Sequence, residues 1–180
     1  MKTKRSGGFS LSRHYVYLLL YSAIALILML MQTAPRLFPV IGGARPSPLI
    51  LLVVCVAMFE GPQVGAVIAV LSGLLWDMYS FRLFGLKAML LLAIAVTVGL
   101  LVQWLLRTNF LSGMLLCVSG VLVYMLLEWL IYYALYLHEE TGLVLLRVYL
   151  PNVLYTVLLS PLMYGLTLFC ARLLRRRSRE

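Results

Sequence analysis

The stretch EGPQVGAVIAVLSGLLWDMYSFRLFGLK, residues 60–87, decides how this chain folds. Gly61, Gly65, Ala69 and Gly73 recur every fourth residue, and Asp77 takes the next step. On an α-helix these five positions share one face. Small residues there let a second helix approach closely, which is how helices pack where lipid supplies no hydrophobic drive. Asp77 is the sole aspartate of the chain and stands where the ladder leaves its apolar run. The pattern predicts a face for tight helix packing or partner contact, and it offers no obvious reaction centre.

The surrounding composition names the environment. Of 180 residues, 63% are hydrophobic and only 12% charged, and the mean hydropathy is +1.01. Soluble domains carry about 25% charged residues, so the chain reads as a single integral membrane domain over residues 1–180. The net charge of +9 could attract nucleic acid, but its placement points elsewhere. Lys2, Lys4, Arg5 and Arg13 precede the first apolar run, and Arg172, Arg175, Arg176, Arg177 and Arg179 follow the last. Charges so placed flank a membrane domain, as basic tails 1–13 and 172–180, and also favour anionic lipid headgroups. No nucleic-acid partner is expected.

The apolar runs then set the topology. Tyr15 to Thr33, Leu86 to Leu106, Leu111 to Leu137 and Val148 to Ala171 each suffice for a span of about 20 residues. The block Pro48 to Trp76 is interrupted by Glu60-Gly61-Pro62. Read as one kinked helix, it would leave the two basic termini on opposite sides, against the positive-inside bias. Read as two short helices around Gly61-Pro62, it gives an all-α protein with six transmembrane helices and both termini cytoplasmic. Ten Lys and Arg then lie inside and five outside. Pro62 suits the first turn of a helix. Glu60 is expected as a solvated turn residue.

Candidate chemistry is sparse. Glu128 lies deep in YMLLEWLIYYALYL, with Tyr124 and Tyr132 one turn away on either side. A carboxyl at that depth costs several kcal/mol unless it is paired, neutral or wetted. Hydrogen bonding to a tyrosine or to Asn152 of the last helix would join two helices; a ligand or ion contact is the functional alternative. Asp77 is expected to pair with Arg82 or Lys87 at the outer surface, or else to dock a partner. Cys55, Cys117 and Cys170 fall inside apolar runs at no metal-ligand spacing, and read as small buried side chains. No phosphate-binding, dinucleotide or zinc-protease motif is present, and one Asp with five Glu form no metal cluster. No catalytic residue, metal or cofactor is assigned.

The order of motifs resembles the MreD family of bacterial rod shape-determining membrane proteins, over about residues 10–172. The resemblance is carried by Arg45-Pro46, the run Pro48 to Phe59, Gly61-Pro62, Gly65, Gly73-Leu74-Leu75-x-Asp77 and Phe84-Gly85-Leu86. The glutamate of the fifth helix and the basic C-terminus are similar too. It implies a non-catalytic subunit of the cell-elongation machinery in the bacterial plasma membrane. That subunit would regulate cell shape and peptidoglycan synthesis by binding the single-span protein MreC. MreB, RodA and a class B penicillin-binding protein are the further implied partners. It implies a fold like the substrate-binding subunits of energy-coupling-factor transporters, which also supply the alternative function, vitamin binding. Of site residues it carries over only a packing signature: Gly61, Pro62, Gly65, Gly73, Asp77 and Gly85.

Overall fold

The computed structural model describes residues 8–34, 46–79, 84–104, 110–136 and 149–177. These residues form six helices: α1 (Gly8–Thr33), α2 (Pro48–Glu60), α3 (Pro62–Tyr79), α4 (Leu86–Trp104), α5 (Phe110–Tyr136) and α6 (Leu150–Arg177). Among the described residues there is no strand. Pro62–Tyr79, Leu86–Trp104, Leu111–Ile131 and Leu150–Leu173 are long and apolar enough to cross a membrane, while Leu18–Thr33 and Pro48–Glu60 are shorter apolar helices. The last helix runs to Arg177, six residues beyond the expected end at Ala171.

Helix α2 is the centre of the molecule. Every residue from Pro48 to Met58 is buried. It packs against α1, α3, α4, α5 and α6. A helix of 13 residues rises only about 20 Å, too short to face lipid across a bilayer. Enclosed by protein, it has no such requirement. This also explains its unpatterned run Leu-Ile-Leu-Leu-Val-Val: with neighbours on all sides, no face needs to be polar.

The boundaries of α2 and α3 follow from backbone chemistry. Pro48 takes the first helical position after Ser47, where a missing N–H costs no bond. At the other end Gly61 adopts φ 91°, ψ 174°. That region is open only to glycine. Pro62 restarts the helix at once, and the Gly65 N–H reaches the Gly61 carbonyl at 3.0 Å. Glu60 is half-buried and accepts a hydrogen bond from the Tyr21 hydroxyl of α1 at 3.3 Å. The expected solvated turn residue is thus at the turn but only partly open, because α1 passes beside it and engages its carboxylate.

Close pairs define the helix directions. Gly65 of α3 lies against Ala57 of α2, Gly73 against Ala88 of α4, and Pro62 against Gly99 of α4. Gly120 of α5 meets Val54, and Gly113 meets Met58 and Tyr164 of α6. The numbers rise on one helix as they fall on the other for α3–α4 and for α2–α5, and α2 and α3 fold back on each other about Gly61, so all three pairs are antiparallel. The sulfurs of Cys55 and Cys117 sit 3.6 Å apart between α2 and α5. Both thiols are free and buried.

Candidate functional site

The polar groups that the sequence singles out gather at the end of the bundle where α3 turns into α4. The local sequence explains why a turn needs help there. Phe84-Gly85-Leu86 opens α4 without Ser, Thr, Asp or Asn at the capping position. Gly85 takes φ 91° to make the corner. The cap comes from the preceding helix. Asp77 Oδ2 accepts the N–H of Gly85 at 3.0 Å and that of Ala88 at 3.3 Å. It thereby meets the unpaired amides and the positive end of the α4 dipole together. Asp77 is only 4% exposed. The reading as a surface carboxylate is corrected on this point: Asp77 is a buried cap. Arg82, one of its expected partners, lies outside the described residues.

Lys87, the other expected partner, is used differently. Its Nζ lies 4.5 Å from the centre of the Trp76 ring, within the range of a cation–π contact. Trp76 in turn stacks on Tyr124 of α5, with centroids 5.8 Å apart and planes at 10°. Lys87 is 8% exposed and Tyr124 fully buried. An ammonium, an indole and a phenol from α4, α3 and α5 thus meet at the Trp76 ring. Glu128 is half-buried one turn further along α5, toward the α3–α4 corner because α4 and α5 run antiparallel. Tyr132 lies in α5, and its side chain is outside the described set.

A second cap repeats the device at α2. Ser47 makes no side-chain cap. Its backbone N–H instead donates to Thr156 Oγ1 of α6 at 3.2 Å, and that hydroxyl donates to the Asn152 carbonyl at 2.7 Å. Asn152 is half-buried, so its backbone links α6 to the start of the central helix. Thr156 was missed from sequence. Its signal was present: in a membrane helix a buried hydroxyl at spacing four from Asn152 and Ser160 marks the protein-facing side.

The ladder residues divide by role. A methyl group on Gly65 would lie 2.7 Å from the Ala57 Cα, and one on Gly73 would lie 2.2 Å from the Ala88 Cα. Ala69 between them is fully buried. One face of α3 therefore receives two helices: α2 at Gly65, and α4 at Gly73 and again at Pro62, where Gly99 arrives. Gly61 and Gly85 are different: a methyl there would meet nothing within 4 Å, and both hold φ +91°. Backbone conformation, and no neighbour, makes those two positions glycine. Pro62 contacts Gly99, a close approach the sequence reading did not include.

Chemically, this arrangement fixes helices. Its carboxylate is engaged by backbone amides and its cation lies on a ring. Among the described residues no three His, Cys, Asp or Glu side chains group as a metal site. Compared with known proteins, the chain matches the family model of the rod shape-determining protein MreD over residues 12–173. No curated protein and no solved structure gives a significant match.

Proposed function

Since this chain belongs to the MreD family of rod shape-determining proteins, we propose that it is a non-catalytic membrane subunit of the bacterial cell-elongation machinery that works by binding and positioning MreC. Six helices would cross the plasma membrane, with both basic tails in the cytoplasm. MreB, RodA and a class B penicillin-binding protein would join through that complex, so effects on peptidoglycan synthesis would be indirect. We further propose a likeness in architecture to the substrate-binding subunits of energy-coupling-factor transporters.

One observation carries the scaffold reading. The polar side chains at the α3–α4 corner and at the start of α2 hold helix ends: Asp77 caps α4 and Thr156 caps α2. Groups so engaged set the geometry of a rigid surface for a partner. The test is purification of the tagged chain from native membranes in mild detergent, read by mass spectrometry. Recovery of MreC with elongation proteins is expected. Recovery of ATPase subunits with a long coupling protein would overturn the reading in favour of a vitamin transporter.

A further inference from the structure

Helix α3 starts short of where its neighbours end. Gly73 lies against Ala88 and Pro62 against Gly99, so α3 and α4 keep one register from 62 to 73 on the first and from 99 to 88 on the second. Helix α4 then continues to Trp104, about 7 Å beyond its contact with Pro62. Helix α1 passes the same turn at Tyr21, which bonds Glu60, and extends back through Arg13, about 12 Å further on. Helix α6 passes it at Tyr164, whose ring meets that of Phe59 at 5.2 Å, and runs about 12 Å on to exposed Arg172. The Glu60-Gly61-Pro62 turn therefore lies inside the bundle, recessed from the side that carries both chain ends.

At this depth polar and apolar residues are sorted by side. Ala88, Ala95 and Gly99 form the buried stripe of α4 that faces α3. The next place on that stripe, Gln103, is exposed, because α3 has no residue opposite it. Gln63, in the first turn of α3, is exposed too, and its Cα–Cβ bond tilts back toward the turn. The outward faces at the same level are apolar: Leu19 and Leu20 on α1, and Leu100, Leu101 and Trp104 on α4, are all exposed. A bilayer thinned around the protein would call for polar residues on the outside as well. Polar within and apolar without is the pattern of water entering between helices.

We propose that the gap below α3, lined by Tyr21, Glu60, Gln63 and Gln103, is a water-filled inlet that opens to the side of the membrane carrying both termini and ends at the Glu60 carboxylate. Helices of 13 and 18 residues then serve in a core of about 30 Å because water comes in to meet their turn. The carboxylate, costly in hydrocarbon, is hydrated there. The inlet does not depend on which partner the chain binds, so it stands or falls apart from the scaffold reading.

The test labels single cysteines of the full chain in sealed vesicles with a charged, membrane-impermeant thiol reagent, applied to each side in turn. The unaltered chain is the blank for Cys55, Cys117 and Cys170. Such a reagent needs a hydrated thiolate. Gln63→Cys and Gln103→Cys should react from the side of a terminal tag, about 100-fold or more faster than Leu101→Cys, the outward position two residues past Gly99. A silent Gln63→Cys beside a reactive Gln103→Cys would place the turn in hydrocarbon and overturn the inlet. Equal reaction at Leu101→Cys would make this level aqueous on the outside and overturn it as well, as would reaction from the opposite side alone. Deuterium exchange on the unaltered chain in the same vesicles keeps the test independent of any variant's folding. The amides of Gln63 and Val64, which have no acceptor within α3, should exchange within seconds. Protection equal to that of amides midway along α4 would overturn the inlet.

Discussion

Helices α2 and α6 are both built on apolar runs, yet they sit in opposite surroundings. Helix α2 is enclosed by five neighbours and buries all of Pro48–Met58. Helix α6 turns Leu154, Leu158, Leu162 and Phe169 outward and buries Thr156, Ser160, Met163 and Thr167. The inward face of α6 is the more polar one. In water this would be inverted. In lipid an aliphatic side chain gains nothing by leaving the membrane for the protein interior, so close packing and hydrogen bonds decide which face turns inward. Hydropathy identifies both helices as apolar and cannot say which face of α6 turns inward. Small and hydroxyl residues can.

The sharpest way to break that contrast is to fill a gap on the enclosed side. Gly73→Leu forces a side chain into the Ala88 backbone, where even a methyl would lie 2.2 Å away. Neither α3 nor α4 can yield there, because Asp77 ties the two together one turn on. The expected cost is about 3 kcal/mol or more, seen as loss of monodisperse protein in detergent and a lower thermal midpoint. A variant that folds with an unchanged midpoint would mean that α3 and α4 are not in close contact.

Removing volume from α2 is the next largest effect. Leu51→Ala leaves a cavity among helices at a site with no exposure. The water-to-interior transfer term is small for a membrane protein, so the loss of packing contacts dominates, roughly 1–3 kcal/mol. A smaller effect at Leu51 than at outward leucines of α6 would reverse the placement of the two helices.

Capping comes third. Asp77→Ala strands two amides at the start of α4 and should cost about 1–2 kcal/mol. Asp77→Asn keeps an acceptor oxygen and should recover part of that loss. Equal midpoints for the aspartate and alanine forms would show that α4 begins without help from α3. Trp76→Leu offers a companion measurement, since it leaves the cap in place and removes the ring that touches both Lys87 and Tyr124.

How far the sequence could reach follows from these same residues. The break at Glu60-Gly61-Pro62 was legible because a glycine before a proline is local backbone chemistry. The small face of α3 was legible from a spacing of four. Its division between α2 and α4 was not, because a ladder shows which residues face inward and not which helix arrives. Gly61 and Gly85 read like members of the same packing set, since composition cannot separate a glycine kept for space from one kept for φ. The Asp77 cap crosses eight residues and a corner, and the Tyr21–Glu60 bond crosses thirty-nine. Such pairs depend on how the bundle closes. The centrality of α2 shows in its sequence only as a run apolar on every side, a pattern that lipid neighbours accept as readily as protein ones.

The smallest expected effect is the most direct probe of that last ambiguity. Leu158 is 75% exposed on α6. Leu158→Ala removes a side chain whose surroundings are lipid or detergent, which flows into the vacated space and leaves no cavity. The midpoint should move by less than about 0.5 kcal/mol equivalent in the isolated chain, the range of surface substitutions. Measured beside Leu51→Ala, it compares one chemical deletion in two apolar settings, one walled by protein and one by lipid or detergent. A loss at Leu158 matching that at Leu51 would mean that α6 is covered in the isolated chain. The face bearing Gly165 and Leu158 would then be an internal contact and not the lipid-facing side of the helix.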